Sequence, residues 1–189
     1  MSKKIGIFFI ALGVLCLCLA IGLNIHNMIE EKKSEEYKIS LLEDLKGKIN
    51  TEATNTNGEM GTVLIDDYES IGILSIPALE LEFPVLTDWN YEKLEKAPCL
   101  YFGSYYEENF VIAAHNYKSH FGRLKELKKE DLITFTDVSG HTYYYEVVLT
   151  ETLPKYATED MVTSGFDLSL YTCTLGGENR VTVRCDRVK

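Results

Sequence analysis

The sequence predicts a mainly β fold: a closed or nearly closed barrel with short helices, preceded by an N-terminal transmembrane helix. Three observations carry this. From Thr62 onward, apolar residues fall in short runs, many of them alternating and broken by Gly, Pro and Asn, which is enough for about seven or eight short strands. Helical spacing beyond Thr62 is confined to brief segments. One uncharged apolar block, Ile5 to Ile25, stands apart at the start.

Taken in order, residues 1–4 form a short N-terminal segment carrying Lys3 and Lys4. Residues 5–25 hold no charged side chain and, as a helix, span about 30 Å of hydrocarbon. The two lysines ahead of the block predict a cytoplasmic N-terminus and an extracellular remainder. A cleaved signal peptide is the competing reading, but the block is long for one and no small-x-small cleavage site closes it. Cys16 and Cys18 inside it read as apolar filler. Residues 26–61 are expected to be a juxtamembrane helix and a linker. Ile39, Leu42, Leu45 and Ile49 recur at helical spacing between Met28 and Asn50, so this helix either packs on the domain or spaces it from the membrane. Thr51 to Gly61 is polar and aperiodic.

Residues 62–189 are expected to be the β domain. Ile71–Ile76 and Leu79–Leu86 read as strands separated at Pro77, since proline cannot donate to a ladder. Asn90–Lys96 reads as a helical turn, and Phe110–Ala114 as a strand covered on both faces. Phe121–Leu127 reads as a short helix. Leu132–Thr136 and Thr142–Leu149 form an expected hairpin in which Tyr143, Tyr144 and Tyr145 pack the sheet. Ala157–Thr163 is a short helix candidate, and two final strands flank a Gly176-Gly177 turn.

The formal net charge of −10 argues against nucleic acid as a partner, because binding phosphates needs clustered Lys and Arg. Outside the apolar block the cysteines are Cys99, Cys173 and Cys185, an odd number that leaves at least one thiol free; a Cys99–Cys185 pair stays open. No zinc motif or phosphate-binding glycine loop occurs, so no cofactor or metal is expected.

The chemistry concentrates in SLYTCTLGGENRVTVR, residues 169–184. A hairpin there sets the Cys173 thiol, at the end of one strand, beside the Arg180 guanidinium at the start of the next. A fixed positive charge favours thiolate and can hold an oxyanion. Of the four histidines, only His115 closes an apolar strand, FVIAAH at 110–115, where rigid structure holds a side chain at a rim. His120 lies in a polar loop and could line the site. Arg184 lies roughly 13 Å further along its strand than Arg180 and is expected to meet solvent or an acidic neighbour.

The pattern of TCT, a turn and RVTV, with AAHN upstream, resembles the sortase family of cysteine transpeptidases. GILSIP at 72–77, FPV at 83–85 and FGRL at 121–124 also resemble segments of that family, so the likeness runs from about Ile71 to Val188. It implies an eight-stranded barrel with Cys173, His115 and Arg180 as the catalytic set. Cys173 would form a thioacyl intermediate with a sorting-signal peptide similar to Leu-Pro-x-Thr-Gly. His115 would protonate the leaving amine, and Arg180 would orient the substrate and stabilise the oxyanion. The implied partners are surface proteins or pilins bearing the signal, and a cell-wall precursor or pilin amine as acceptor, outside a Gram-positive-type cell. Some family members use calcium; no compelling carboxylate cluster stands out here. The TCT motif resembles class B, and the short connection before the last strands resembles class D. A hydrolytic cysteine peptidase and a noncatalytic membrane-tethered β-domain that binds a partner are the alternative readings.

Overall fold

The computed structural model describes residues 3–49 and 60–188, so most of the expected linker at 51–61 lies outside the described residues. Helix α1 runs Lys3–Lys48. The chain divides into two compact units, one ending at Lys33 and one beginning at Ser34. In the first unit, α1 is apolar and unburied, with the length and composition to cross a membrane. That fits a membrane anchor.

The second unit contains nine strands: β1 Val63–Ile65, β2 Tyr68–Ile76, β3 Leu81–Leu86, β4 Cys99–Phe102, β5 Phe110–Ala113, β6 Leu132–Asp137, β7 Thr142–Pro154, β8 Leu168–Cys173 and β9 Asn179–Arg187. Two short helices join them, α2 Tyr91–Lys96 and α3 Thr158–Val162. The strand order is β1-β2-β3-β4-β5-β8-β9-β7-β6, and β6 also pairs with β2. That last pairing closes β2 to β9 into an eight-stranded barrel, with β1 added as a hairpin on β2. The expected fold class is the one observed.

Two strands escaped the sequence reading: β1 is only three residues long, and β4 lies between Pro98 and Gly103 without a clear alternation. β7 runs to Pro154, past the expected end at Leu149. A bulge between Val147 and Leu149 breaks its alternation while its pairing with β9 continues. The expected helix at 121–127 reduces to a 3-10 turn at Leu124–Glu126.

The barrel is filled by Leu74, Phe83, Phe110, Ile112, Phe135, Leu170 and Val183, among others, all of them buried. Tyr145 belongs to this core, Tyr143 packs against it, and Tyr144 points outward, so the tyrosine run serves the sheet. Gly72 is required where β2 meets β6: a Cβ there would fall 2.2 Å from the Thr136 carbonyl oxygen.

A second cluster lies outside the barrel, where Leu41 and Leu45 of α1 pack with Val63, Ile65, Leu86 and Val138. Burying each leucine contributes roughly 1.5–3 kcal/mol. The buried stripe of α1 in this unit is Ser34, Lys38, Leu41 and Leu45, whereas Ile39 is exposed. The apolar spacing had suggested a stripe through Ile39, Leu42, Leu45 and Ile49. That stripe is rotated from the true one because two of the buried positions are polar.

Candidate active site

The site is built by register. β5 and β8 are parallel neighbours, with Ala113 opposite Tyr171. Two residues beyond that pair come His115 on one strand and Cys173 on the other, at matched ends of strands that lie about 4.8 Å apart. The ends are tied by the Ala114 amide donating to the Tyr171 carbonyl (3.2 Å) and the Thr172 hydroxyl donating to the Ala114 carbonyl (2.8 Å). β8 pairs on its other side with antiparallel β9, and there Cys173 stands directly opposite Arg180. Opposed residues of an antiparallel pair share a face, with Cβ atoms about 4.5–5.5 Å apart. Cys173, His115 and Arg180 therefore occupy one end of three adjacent strands and line one pocket.

Cys173 is exposed, while Cys99 and Cys185 are buried and unpaired, so the open pairing of these two does not occur. Burial pushes the Cys99 thiol up to about 12 and the Cys185 thiol higher still, which makes both inert. His115 is half-buried, and desolvation holds it below the ordinary imidazole value, with Glu95 acting the other way. Its ring stacks on Tyr117, with centroids 4.9 Å apart and planes at 20°. The Phe121 amide donates to the His115 carbonyl (3.0 Å), and the Gly122 amide donates to that of Tyr117 (2.9 Å), folding the loop after β5 back on itself.

Arg180 Nη1 donates to the carbonyls of Gly177 (2.9 Å) and Asn179 (3.1 Å). The guanidinium is thus held by its own turn, and Nε and Nη2 have no partner among the described residues. Gly176 and Gly177 both have positive φ, 87° and 76°, as this tight turn demands.

The pocket is walled on one side by Trp89, Tyr101 and Tyr171. Trp89 and Tyr101 ring centroids are 5.6 Å apart, and Tyr101 meets Tyr171 edge-on at 5.2 Å. The other wall comes from the end of β7 and from α3, through Pro154, Lys155, Thr158 and Met161. The aromatic wall had no signal in the sequence, since its three members come from separate segments.

His120 is not in the pocket. It is fully buried, with Nε2 3.1 Å from the Ser34 hydroxyl. Burial, with Lys38 and His115 nearby, lowers it to about 3. Arg184 is buried too; of the two expected surroundings, solvent or an acidic neighbour, it has the second, Glu151, 2.8 Å from Nε. The rest of its guanidinium donates to the Ser169 hydroxyl (2.8 Å) and to the carbonyls of Asp160 (2.8 Å) and Met161 (3.2 Å). Arg184 thereby fastens α3 to β8 and β9. Among the described residues no group of three His, Cys, Asp or Glu side chains is arranged to hold a metal.

The Sortase domain family matches residues 74–188. No curated protein matched the chain by sequence. Sortase A from Corynebacterium diphtheriae is similar in structure, with a TM-score of 0.59 and 24% identity over 65% of this chain and 62% of that one. Sortase C1 from Streptococcus agalactiae gives 0.58 and 26% over 67% of this chain and 71% of that one. Sortase C from Streptococcus pneumoniae gives 0.57 and 22% over 85% and 89%. The chain thus spans less than two thirds of the Corynebacterium protein's length.

Proposed function

Because the chain belongs to the sortase family, we propose that it is a membrane-anchored cysteine transpeptidase whose catalytic set is Cys173, His115 and Arg180. One observation carries this reading: an exposed thiol, a half-buried imidazole and a guanidinium meet at the ends of three paired strands in a single pocket. In the proposed reaction the Cys173 sulfur attacks the carbonyl carbon of a sorting-signal peptide bond, and its proton passes to His115. Burial favours a neutral imidazole, free to accept that proton. The tetrahedral oxyanion is held by Arg180, whose Nε and Nη2 remain to meet it. Collapse expels the amine, protonated by His115, and leaves a thioacyl enzyme. An acceptor amine then gives a proton to His115, attacks the thioester and releases Cys173.

The substrate class proposed is a surface protein or pilin with a Leu-Pro-x-Thr-Gly-like signal, and the acceptor is a cell-wall precursor or pilin amine. Residues 5–25 would anchor the enzyme with its N-terminus in the cytoplasm and the barrel outside, where Lys3 and Lys4 ahead of the span favour that orientation.

The test is incubation of the full chain, in detergent, with sorting-signal peptides, with and without an amine acceptor. A thioacyl adduct on Cys173 by mass spectrometry and amine-dependent product are expected. Cleavage with no amine incorporation at any acceptor concentration would make the protein a hydrolase. No adduct with any peptide would favour a noncatalytic β-domain.

A further inference from the structure

The buried stripe of α1 in the second unit begins with two polar side chains, Ser34 and Lys38. A hydroxyl or ammonium in such a position is costly unless it is bonded. Each one is. The Ser34 hydroxyl donates to the Glu95 carbonyl at 2.5 Å. It has a single proton, so the 3.1 Å contact with His120 must be the ring's Nε2–H donating to Ser34. That fixes the His120 tautomer and leaves its Nδ1 buried without a partner. One turn on, Lys38 Nζ donates to the Ser119 carbonyl at 3.0 Å and lies 5.1 Å from the centre of the Phe83 ring.

The two groups that Ser34 joins both belong to the pocket's framework. Glu95 is in α2, which supplies Tyr91 and Leu94 to the pocket and whose carboxylate acts on His115. His120 closes the loop that starts at His115; its ring lies 5.6 Å from that of Tyr117, on which His115 stacks. We propose that Ser34, acting through His120 with Lys38 beside it, is a positioning residue for His115, so that the juxtamembrane part of α1 completes the active site. The inference rests on the reading of His115 as the proton carrier. A leucine at 34 or 38 would continue the apolar stripe to Leu41 and Leu45 in pattern, but it would leave the groups now bonded to Ser34 or Lys38 buried without those bonds. The polar pair instead fastens α2 to the histidine loop.

The experiment uses the full chain in detergent, with Ser34→Ala, His120→Phe, their double variant, and Leu41→Ala as a control that loosens the same helix without touching the network. Single-turnover acylation of Cys173 by a sorting-signal peptide gives the rate. Histidine ring NMR gives the His115 titration. Ser34→Ala and His120→Phe should each slow acylation roughly five- to tenfold, the rate equivalent of about one lost hydrogen bond. The double variant should lose no more than the worse single, because both break one link. In Ser34→Ala the His115 midpoint should move up toward its ordinary value as water reaches the loosened ring; the Glu95 carboxylate acts in the same upward direction, Cys173, Arg180 and Lys155 share the pocket, and His120 is the titratable neighbour in its own loop. Leu41→Ala should lower Tm yet keep the rate within about twofold and the His115 midpoint unchanged.

Multiplying losses in the double variant, or rates that follow Tm across all four variants, would overturn the proposal. Should the native chain acylate no peptide, the transpeptidase reading fails, and the NMR arm still decides this one: an unmoved His115 midpoint in Ser34→Ala refutes it.

Discussion

Arg180 and Arg184 lie four residues apart on one strand, yet their surroundings give them different work. Arg180 ends in a pocket, and a lysine there would keep the charge but lose the planar fork of donors. Arg180→Lys should therefore cost roughly 10²–10³ in acylation rate, while a small alkylating reagent still labels Cys173 at near the native rate. If acylation in Arg180→Lys stays within threefold of native, the arginine only tunes charge. Arg184→Lys cannot reach Glu151, Ser169 and the two α3 carbonyls together. It should destabilise the fold by about 2 kcal/mol and raise the peptide KM through a loosened α3, which urea titration and steady-state assays would measure. Among the second unit's cysteines, iodoacetamide should modify Cys173 alone in the native protein and reach Cys99 and Cys185 only in denaturant, by peptide mass mapping. The pocket set of Cys173, His115 and Arg180 was legible because each closes or opens a strand whose alternation is plain. The fate of Arg184 was not, because alternation gives the face of a residue and not what covers that face; α3 covers it here.

At the scale of elements, the loop from His115 to Gly122 is folded back by its own backbone hydrogen bonds as well as by the side chains of α1. Gly122 sits so close to it that a Cβ would lie 2.4 Å from the Asn116 carbonyl oxygen and 2.8 Å from that of Tyr117. Both contacts are with backbone, so Gly122→Ala must displace the loop that carries the imidazole. We expect acylation to fall by at least tenfold, with a Tm loss no greater than that of Leu41→Ala; an unchanged rate would show that the loop's path does not set His115. Strands with clean alternation were found in the sequence, whereas β1, β4 and the second half of β7 were not. In each the signal fails for a local reason: three residues are too few to show a period, a flanking Pro and Gly read as loop, and a bulge flips the alternation. The rotated stripe of α1 has a different cause, since no periodicity of apolar residues can reveal a buried serine and lysine.

Over the whole molecule, the buried histidines tie stability to pH. His120 titrates near 3 in the folded chain and near 6.5 when unfolded, so only the unfolded state gains its proton between those values. Its contribution is complete above about pH 6.5 and is lost as pH falls toward 3, at about 1.4 kcal/mol per unit. His115, also lowered, adds in the same direction. Between pH 6.5 and 5, above most of the carboxylate range, the native protein should lose about 2 kcal/mol or more. His120→Phe should flatten that slope in urea titrations; an equally steep slope would place the proton uptake elsewhere. Barrel closure, by contrast, could be inferred from strand count but not located, because the β2–β6 pairing joins segments far apart in sequence through no local feature.

β9 is the ninth strand along the chain, yet it lies between β8 and β7 in the sheet. On a ribosome, Cys173 is made before the residue that will face it. Until β9 arrives, β8 and β7 each present an open edge, a template for pairing with another chain. Insertion of one strand then heals both edges and sets Arg180 across from the sulfur in a single event. On the proposed reading of Cys173 as the nucleophile, the guanidinium that would hold its oxyanion is in place only once β9 has paired.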